Sequence, residues 1–228
     1  MTIERDVMEY DILIVGGGPA GLSAAIKIKQ IAARENKEIS VCLVEKGAEV
    51  GSHILSGAVI DPVALSELIP DWKEKGAPLN TEVTKDIFNL FSEKSNLEIP
   101  HWLMPPIMSN KQNYIVSLGE LCIWLSKEAE NLGIEIYPGF TAQEPIFNDN
   151  QELVGILTGD MGRDSDGNET VNYAAGIEIR AKYSLIAEGT RGSITKIIEK
   201  KLSLRKNSDP QKYGLGFKEV WRLDKNKH

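Results

Sequence analysis

Residues 10–23 read YDILIVGGGPAGLS, an apolar run that breaks into glycines and then opens a helix. The run 11–15 is almost wholly apolar and rich in β-branched residues, the pattern of a buried parallel strand. It leads into Gly16, Gly17, Gly18, Pro19, Ala20 and Gly21, a G-x-G-x-x-G, and then into good helix formers over 22–26. In such a turn Gly16 permits the reversal, Gly18 lets backbone approach a pyrophosphate, and Gly21 lets the helix lie close on the sheet. The helix N-terminus offers free N–H groups and a partial positive charge to the phosphates. A second strand, residues 39–44, ends in Glu45, 24 residues past Gly21. That spacing is near the roughly 20 expected of a carboxylate that binds a ribose hydroxyl. Strand, glycine turn, helix and second strand predict a site for an ADP-containing dinucleotide.

The order of segments after Glu45 looks like the flavoprotein arrangement of glutathione reductase and the aromatic hydroxylases. There an N-terminal βαβ unit is interrupted by another domain and resumes later with a strand that ends in an acidic-Gly turn. Residues 183–189, YSLIAEG, form such a strand and turn, with Glu188 and Gly189 at its end. The resemblance favours FAD over NAD. It implies an α/β fold: a Rossmann-like FAD-binding domain of the glutathione-reductase/hydroxylase type with an inserted, mainly β domain.

Composition narrows the class. The 228 residues, 42% of them hydrophobic, are enough for a substantial core. A formal net charge of −7 with no basic stripe argues against nucleic acid. Lys196, Lys200, Lys201, Arg205 and Lys206 read as a solvated helix face. Cys42 and Cys122, the two cysteines, belong to no C-x-x-C and read as buried free thiols in a reducing compartment; no metal site is expected. Residues 1–9 lack the features of a signal or transit peptide, and no apolar run approaches the roughly 20 residues of a spanning helix.

The loop 47–58 has three glycines and two serines, composition suited to closing over a ligand, and Lys46, Ser56 and Gly57 are expected cofactor contacts there. His53 in this loop reads either as a polar contact to the cofactor or as an ordinary loop histidine. Asp61 and Pro62 start a helix that Pro70 ends, with Pro62 at its first helical position. Residues 85–91 and the proline-broken stretch 99–108 read as strand and loop of the inserted domain. Trp102, Met104 and Met108 there suit either an apolar surface patch or edge packing. Leu118, Leu121, Cys122, Leu125, Ala129 and Leu132 follow helical spacing, predicting a helix over 119–132 that Gly133 stops. A third sheet strand over 134–137 would place the backbone of Thr141 and Ala142 near the adenine. Residues 145–147 and 153–158 predict a β-hairpin. The polar loop 159–170 lacks the ligand order of a calcium site. Residues 176–181 are expected to pair back and 183–187 to return to the nucleotide sheet. Arg191, in the turn before a helix from Ser193, reads as a partner for phosphate or carboxylate, or as a surface arginine.

Four stretches closely resemble the electron-transfer flavoprotein–ubiquinone oxidoreductases: GSHILSGAVIDP (51–62), PDWKEKGAPLNTEVTKD (70–86), NYIVSLGELCIWLSKEAENLGIEIYPGF (113–140) and YGLGFKEVW (213–221). That resemblance implies FAD, a 4Fe-4S cluster, and electron transfer from reduced electron-transfer flavoprotein to ubiquinone at a peripheral membrane surface. The surface would be the inner face of a bacterial cytoplasmic membrane or the mitochondrial inner membrane. It implies that 99–108 lies at the membrane-facing side, where the apolar residues would dip into the bilayer interface or line an entry for an isoprenoid tail. Members of that family are more than twice this long, with their cluster cysteines near the C-terminus. The chain is therefore expected to be an N-terminal portion, and Cys42 and Cys122 are not cluster ligands. Ser117 precedes its helix where related flavin hydroxylases often place an arginine. The expected divisions are 1–80 and 116–202 for the FAD-binding domain, the latter with a β-hairpin excursion, 81–115 for an inserted quinone- or membrane-facing segment, and 203–228 for the truncated start of a further inserted segment. Two other readings stay open: a geranylgeranyl reductase-like or hydroxylase-like FAD oxidoreductase, and a non-catalytic FAD-binding fragment.

Overall fold

In a computed structural model, the structure describes residues 5–54, 57–164, 166–217 and 219. The first strand, β1 (Val7–Val15), runs into α1 (Pro19–Arg34) and then β2 (Val41–Glu45), the predicted βαβ unit. Next come β3 (Ala58–Ile60), α2 (Val63–Leu68), β4 (Thr81–Glu82), β5 (Phe88–Phe91), β6 (Asn96–Ile99), two short 3-10 turns, β7 (Tyr114–Val116) and α3 (Leu118–Asn131). The chain continues with β8 (Glu135–Pro138), β9 (Ala142–Phe147), β10 (Leu153–Thr158), β11 (Met161–Arg163), β12 (Glu169–Ala174), β13 (Glu178–Ile186) and α4 (Ser193–Lys201).

The main sheet has the order β8-β2-β1-β13-β10-β9. Its first four strands are parallel, and β10 and β9 add on antiparallel. The continuous apolar runs now have a reason: both faces of the sheet are buried at β2 and at the C-terminal end of β1, so alternate residues there feed different cores. Ile14, Val41 and Leu43 face α1 and α3, joining Leu22, Ile26 and Leu125. Leu13, Val15, Cys42 and Val44 face the other way, against Ile156, Ile179, Ile194 and Ile198.

Local signals set the helix ends. Ser117 and Glu120 are placed as a capping box, and the Ser117 hydroxyl accepts from the Glu120 N–H at 3.4 Å. Gly133 follows α3 with φ +76°, the left-handed stop read in the sequence, and the helix begins one residue earlier than its apolar spacing implied. Pro62 sits one position before its expected place, as the N-cap of α2, while Asp61 Oδ1 accepts from the Val63 N–H at 3.0 Å.

Two expectations about the sheet need correction. Residues 176–181 and 183–187 are not two segments: they form the single nine-residue strand β13, parallel to β1 from Val7↔Glu178 to Val15↔Ile186. The predicted hairpin forms as β9 and β10, but it belongs to the main sheet because β10 pairs with β13. Apart from that sheet stand a small one of order β3-β7-β4 and the two-stranded hairpins β5-β6 and β11-β12.

Candidate functional site

Four loops leave the C-terminal ends of the parallel strands β1, β2, β8 and β13, where open α/β sheets bind ligands. Between them lies a cavity of about 400 Å³. Gly16, Gly18, Pro19 and Ala20 line it from β1, Glu45 and Lys46 from β2, Phe140, Thr141 and Ala142 from the end of β8, and Glu188, Gly189 and Arg191 from the end of β13.

The glycine turn is built by close approach. Gly16 has φ +113°, and a Cβ there would stand 2.4 Å from the Ala187 carbonyl oxygen. The two glycine turns thus pack side by side, joined by the Ala187 N–H donating to the Val15 carbonyl at 2.7 Å. A Cβ on Gly21 would stand 2.0 Å from the Gly16 carbonyl oxygen and 3.2 Å from Ile14, so this residue fixes the seating of α1. Gly18 differs from both. Its φ is −79°, and a Cβ there would meet no protein atom within 4 Å. Gly18 caps α1 without a side chain, with Pro19 at the first turn, so the first-turn N–H groups have no side-chain partner at the cap. The open space beside Gly18 and the positive helix end match an anionic ligand.

Glu45 is fixed rather than free. One carboxylate oxygen accepts from the Gly17 N–H at 2.8 Å and the other from the Gly47 N–H at 2.7 Å. This leaves about half of a carboxylate's roughly four acceptor positions for a hydroxyl donor. Glu188 is held more tightly, accepting from the backbone N–H groups of Ser193 (3.2 Å), Ile194 (3.3 Å) and Thr195 (2.8 Å) and from the Thr195 hydroxyl (2.8 Å). It caps α4 and so sets the β13–α4 turn. Glu188→Ala is expected to cost about 1–2 kcal/mol and to lower the thermal midpoint by about 2–8 °C, measured by calorimetry.

Of the expected contacts, Gly16, Gly18, Pro19, Ala20, Glu45, Lys46, Ala142, Glu188 and Gly189 come together on the cavity. Gly21 is buried beneath the turn, and Gly57 is exposed and does not line the cavity. Ser56 lies outside the described residues. His53, left open by the sequence, lines the cavity. Gly51 and Ile54, from the loop read as closing over a ligand, also line it, as do Phe140 and Ser193, the first residue of α4, which carried no such signal. Gly51 has φ +92° and packs on α3, where a Cβ would meet the Gly119 carbonyl oxygen at 2.6 Å.

The two thiols do other work. Cys42 and Cys122 are free and fully buried, and burial pushes each up to about 12, with nearby carboxylates (Glu135 for Cys42, Glu45 for Cys122) adding to it. Both are neutral core residues near neutral pH.

Comparison with known proteins supplies the context. A family described as NAD(P)-binding Rossmann-like domain matches residues 14–69. Solved structures show the same fold: a geranylgeranyl bacteriochlorophyll reductase-like protein from Thermoplasma acidophilum has a TM-score of 0.56 at 20% identity, covering 80% of this chain and 40% of its own. The flavin-dependent monooxygenase PieE, solved with FAD and substrate, has a TM-score of 0.56 at 17% identity, covering 86% of this chain and 32% of its own. Sequence relatives are much nearer. The chain is 56% identical to the electron transfer flavoprotein-ubiquinone oxidoreductase of Pseudomonas aeruginosa over 99% of its length, and 49% identical to the mitochondrial protein of Homo sapiens over 98%. It covers 41% of the former and 36% of the latter. The chain is a Rossmann-like mixed α/β protein whose curated homologues are electron transfer flavoprotein-ubiquinone oxidoreductases, and it spans about two fifths of their length.

Proposed function

We propose that this chain is an FAD-binding part of an oxidoreductase that passes electrons from reduced electron transfer flavoprotein to ubiquinone. The observation that carries the reading is the 56% identity with one such oxidoreductase along 99% of the chain. The open cradle at Gly18 and the uncapped start of α1 support it, because they fit the diphosphate of a dinucleotide. In this reading Gly16, Gly18, Pro19 and Ala20 hold the diphosphate and Glu45 takes a ribose hydroxyl. Lys46 and Ala142 stand around the nucleotide half, the Glu188–Gly189 turn closes the opposite side, and Gly57, off the cavity, is kept as a contact from the sequence alone. Ser56 is proposed as a contact from the sequence alone. The bound flavin supplies the redox chemistry; the chain's own residues bind it, orient it and limit its contact with water.

A 4Fe-4S cluster, the second centre proposed for the whole oxidoreductase, does not fit the cysteines of this chain. Such a cluster takes four thiolates, whereas Cys42 and Cys122 sit in different cores. Among the described residues no group of three His, Cys, Asp or Glu gathers to hold a metal.

A peripheral membrane surface is proposed for the β5–β6 hairpin and the 3-10 turns after it. Phe91, Trp102 and Ile107 are 80%, 81% and 92% exposed, large apolar groups presented to solvent within one short segment. No helix of the described residues is long and apolar enough to cross a membrane. Converting Phe91, Trp102 and Ile107 together to serine is expected to reduce co-sedimentation with phospholipid vesicles by about tenfold or more. Unchanged co-sedimentation would remove this surface from the proposal.

The function is tested by giving the FAD-loaded chain, without oxygen, a small fraction of an equivalent of electron transfer flavoprotein that an enzymatic reductant specific to it keeps reduced, and following flavin absorbance. Bleaching by that protein, and none by NADH or NADPH, is expected. Bleaching by the pyridine nucleotides alone would place the chain with reductases or hydroxylases instead.

A further inference from the structure

Residues 211–217 line no part of the cavity, yet Tyr213 reaches the turn that closes one side of it. The guanidinium carbon of Arg191 lies 5.2 Å from the centre of the Tyr213 ring, a cation–π contact. Two residues before Tyr213, Gln211 Nε2 donates to the Thr190 carbonyl at 3.4 Å, so Gln211 and Tyr213 meet the adjacent turn residues Thr190 and Arg191. Arg191 lines the cavity and is exposed at its mouth. Among the described residues no carboxylate pairs with it. Glu45 and Glu188, the two carboxylates on the same cavity, are already engaged by backbone N–H groups. Arg191 therefore keeps its charge and its planar fork of donors for an anion brought in from outside.

We propose that Tyr213 is a positioning residue for the cavity: its ring holds the Arg191 guanidinium at the mouth, where that cation binds the diphosphate of the ligand. A long arginine side chain on an exposed turn would otherwise lose considerable rotamer freedom on binding. An aromatic face removes part of that freedom in advance without offering a competing negative charge. The proposal rests on the FAD reading above for the identity of the ligand. It goes beyond that reading by giving a role to Arg191 and to a segment outside the two glycine turns.

The test is a double-mutant cycle on FAD affinity, with Arg191→Gln, Tyr213→Leu, both together, and Tyr213→Phe as the conservative variant. Arg191→Gln is expected to weaken binding about tenfold, the scale of one charge-assisted hydrogen bond. Tyr213→Leu should weaken it about three- to tenfold, and the double variant no more than Arg191→Gln alone. Tyr213→Phe should restore most of the affinity, because the ring and not the hydroxyl makes the contact. Additive losses in the double variant, or a Phe variant as weak as the Leu variant, would overturn the proposal. The contact is also read without FAD: the Arg191 Nε–Hε resonance should carry a ring-current shift in the unaltered chain and Tyr213→Phe, and lose it in Tyr213→Leu. A shift that is present in a chain with no FAD affinity would count against the FAD reading and against the role given to the pair. FAD affinity with no such shift would count against the pairing alone.

Discussion

Replacing Gly18 by valine is expected to weaken FAD binding by about a hundredfold or more and to leave thermal unfolding nearly unchanged. The two halves of this result come from one observation. A Cβ at Gly18 meets no protein atom within 4 Å, and the backbone φ of −79° is open to any residue, so the folded chain accepts the side chain. The space it enters is the one a diphosphate needs beside the first turn of α1. Displacing the phosphates removes at least two hydrogen bonds to a charged group, each worth about 1.5–3 kcal/mol. At about 1.4 kcal/mol for each factor of ten, that is a loss of a hundredfold or more. Equilibrium titration followed by flavin fluorescence, alongside calorimetry, separates this outcome from simple unfolding. Affinity within a few-fold of the unaltered chain would mean the glycine turn does not cradle the cofactor.

Gly21→Ala, only three residues on, is expected to behave in the opposite way. Its Cβ would stand 2.0 Å from the Gly16 carbonyl oxygen and 3.2 Å from Ile14 Cγ2. Backbone oxygen cannot rotate aside as a flexible side chain does, so α1 must lift from β1 or the turn must open. The expected loss is about 3 kcal/mol or more, with a thermal midpoint about 6–12 °C lower. FAD affinity should fall as well, because the phosphate cradle moves with the helix. A midpoint unchanged by Gly21→Ala would show that α1 is seated less tightly than the structure has it.

The βαβ unit was legible because each of its signals is local. The apolar run ending at Val15, the glycines from Gly16 to Gly21 and the acid at Glu45 lie within 36 residues, and all three appear where the pattern puts them. The ends of α3 were legible to within one residue for the same reason, since Gly133 acts within its own turn. Pairings between distant segments were not. That β1 starts at Val7 depends on its pairing with Glu178, 171 positions away, and no property of residues 7–9 announces it. The place of β9 and β10 in the main sheet likewise depends on β13 as partner. A hairpin reads the same whether it stands alone or extends a sheet.

The site divided along the same line. Gly18 and Glu45 were named for roles that their surroundings support, one facing open space and the other anchored at the end of β2. Glu188 was read as a cofactor contact from its place in an acidic-Gly turn. Its carboxylate also caps α4 through three backbone N–H groups, a task the sequence did not reveal because the acid precedes the helix by five residues. Nothing in the sequence brings Arg191 to Tyr213, since α4 and the residues after it carry no signal of that pairing.

The FAD site itself is tested by a visible absorption spectrum of the purified chain after incubation with FAD and removal of free cofactor. Retained flavin bands near one equivalent per chain, lost in Gly18→Val, are expected of a cavity closed by the two glycine turns. A chain folded by circular dichroism that retains no flavin would contradict the claim that these residues by themselves form an FAD site.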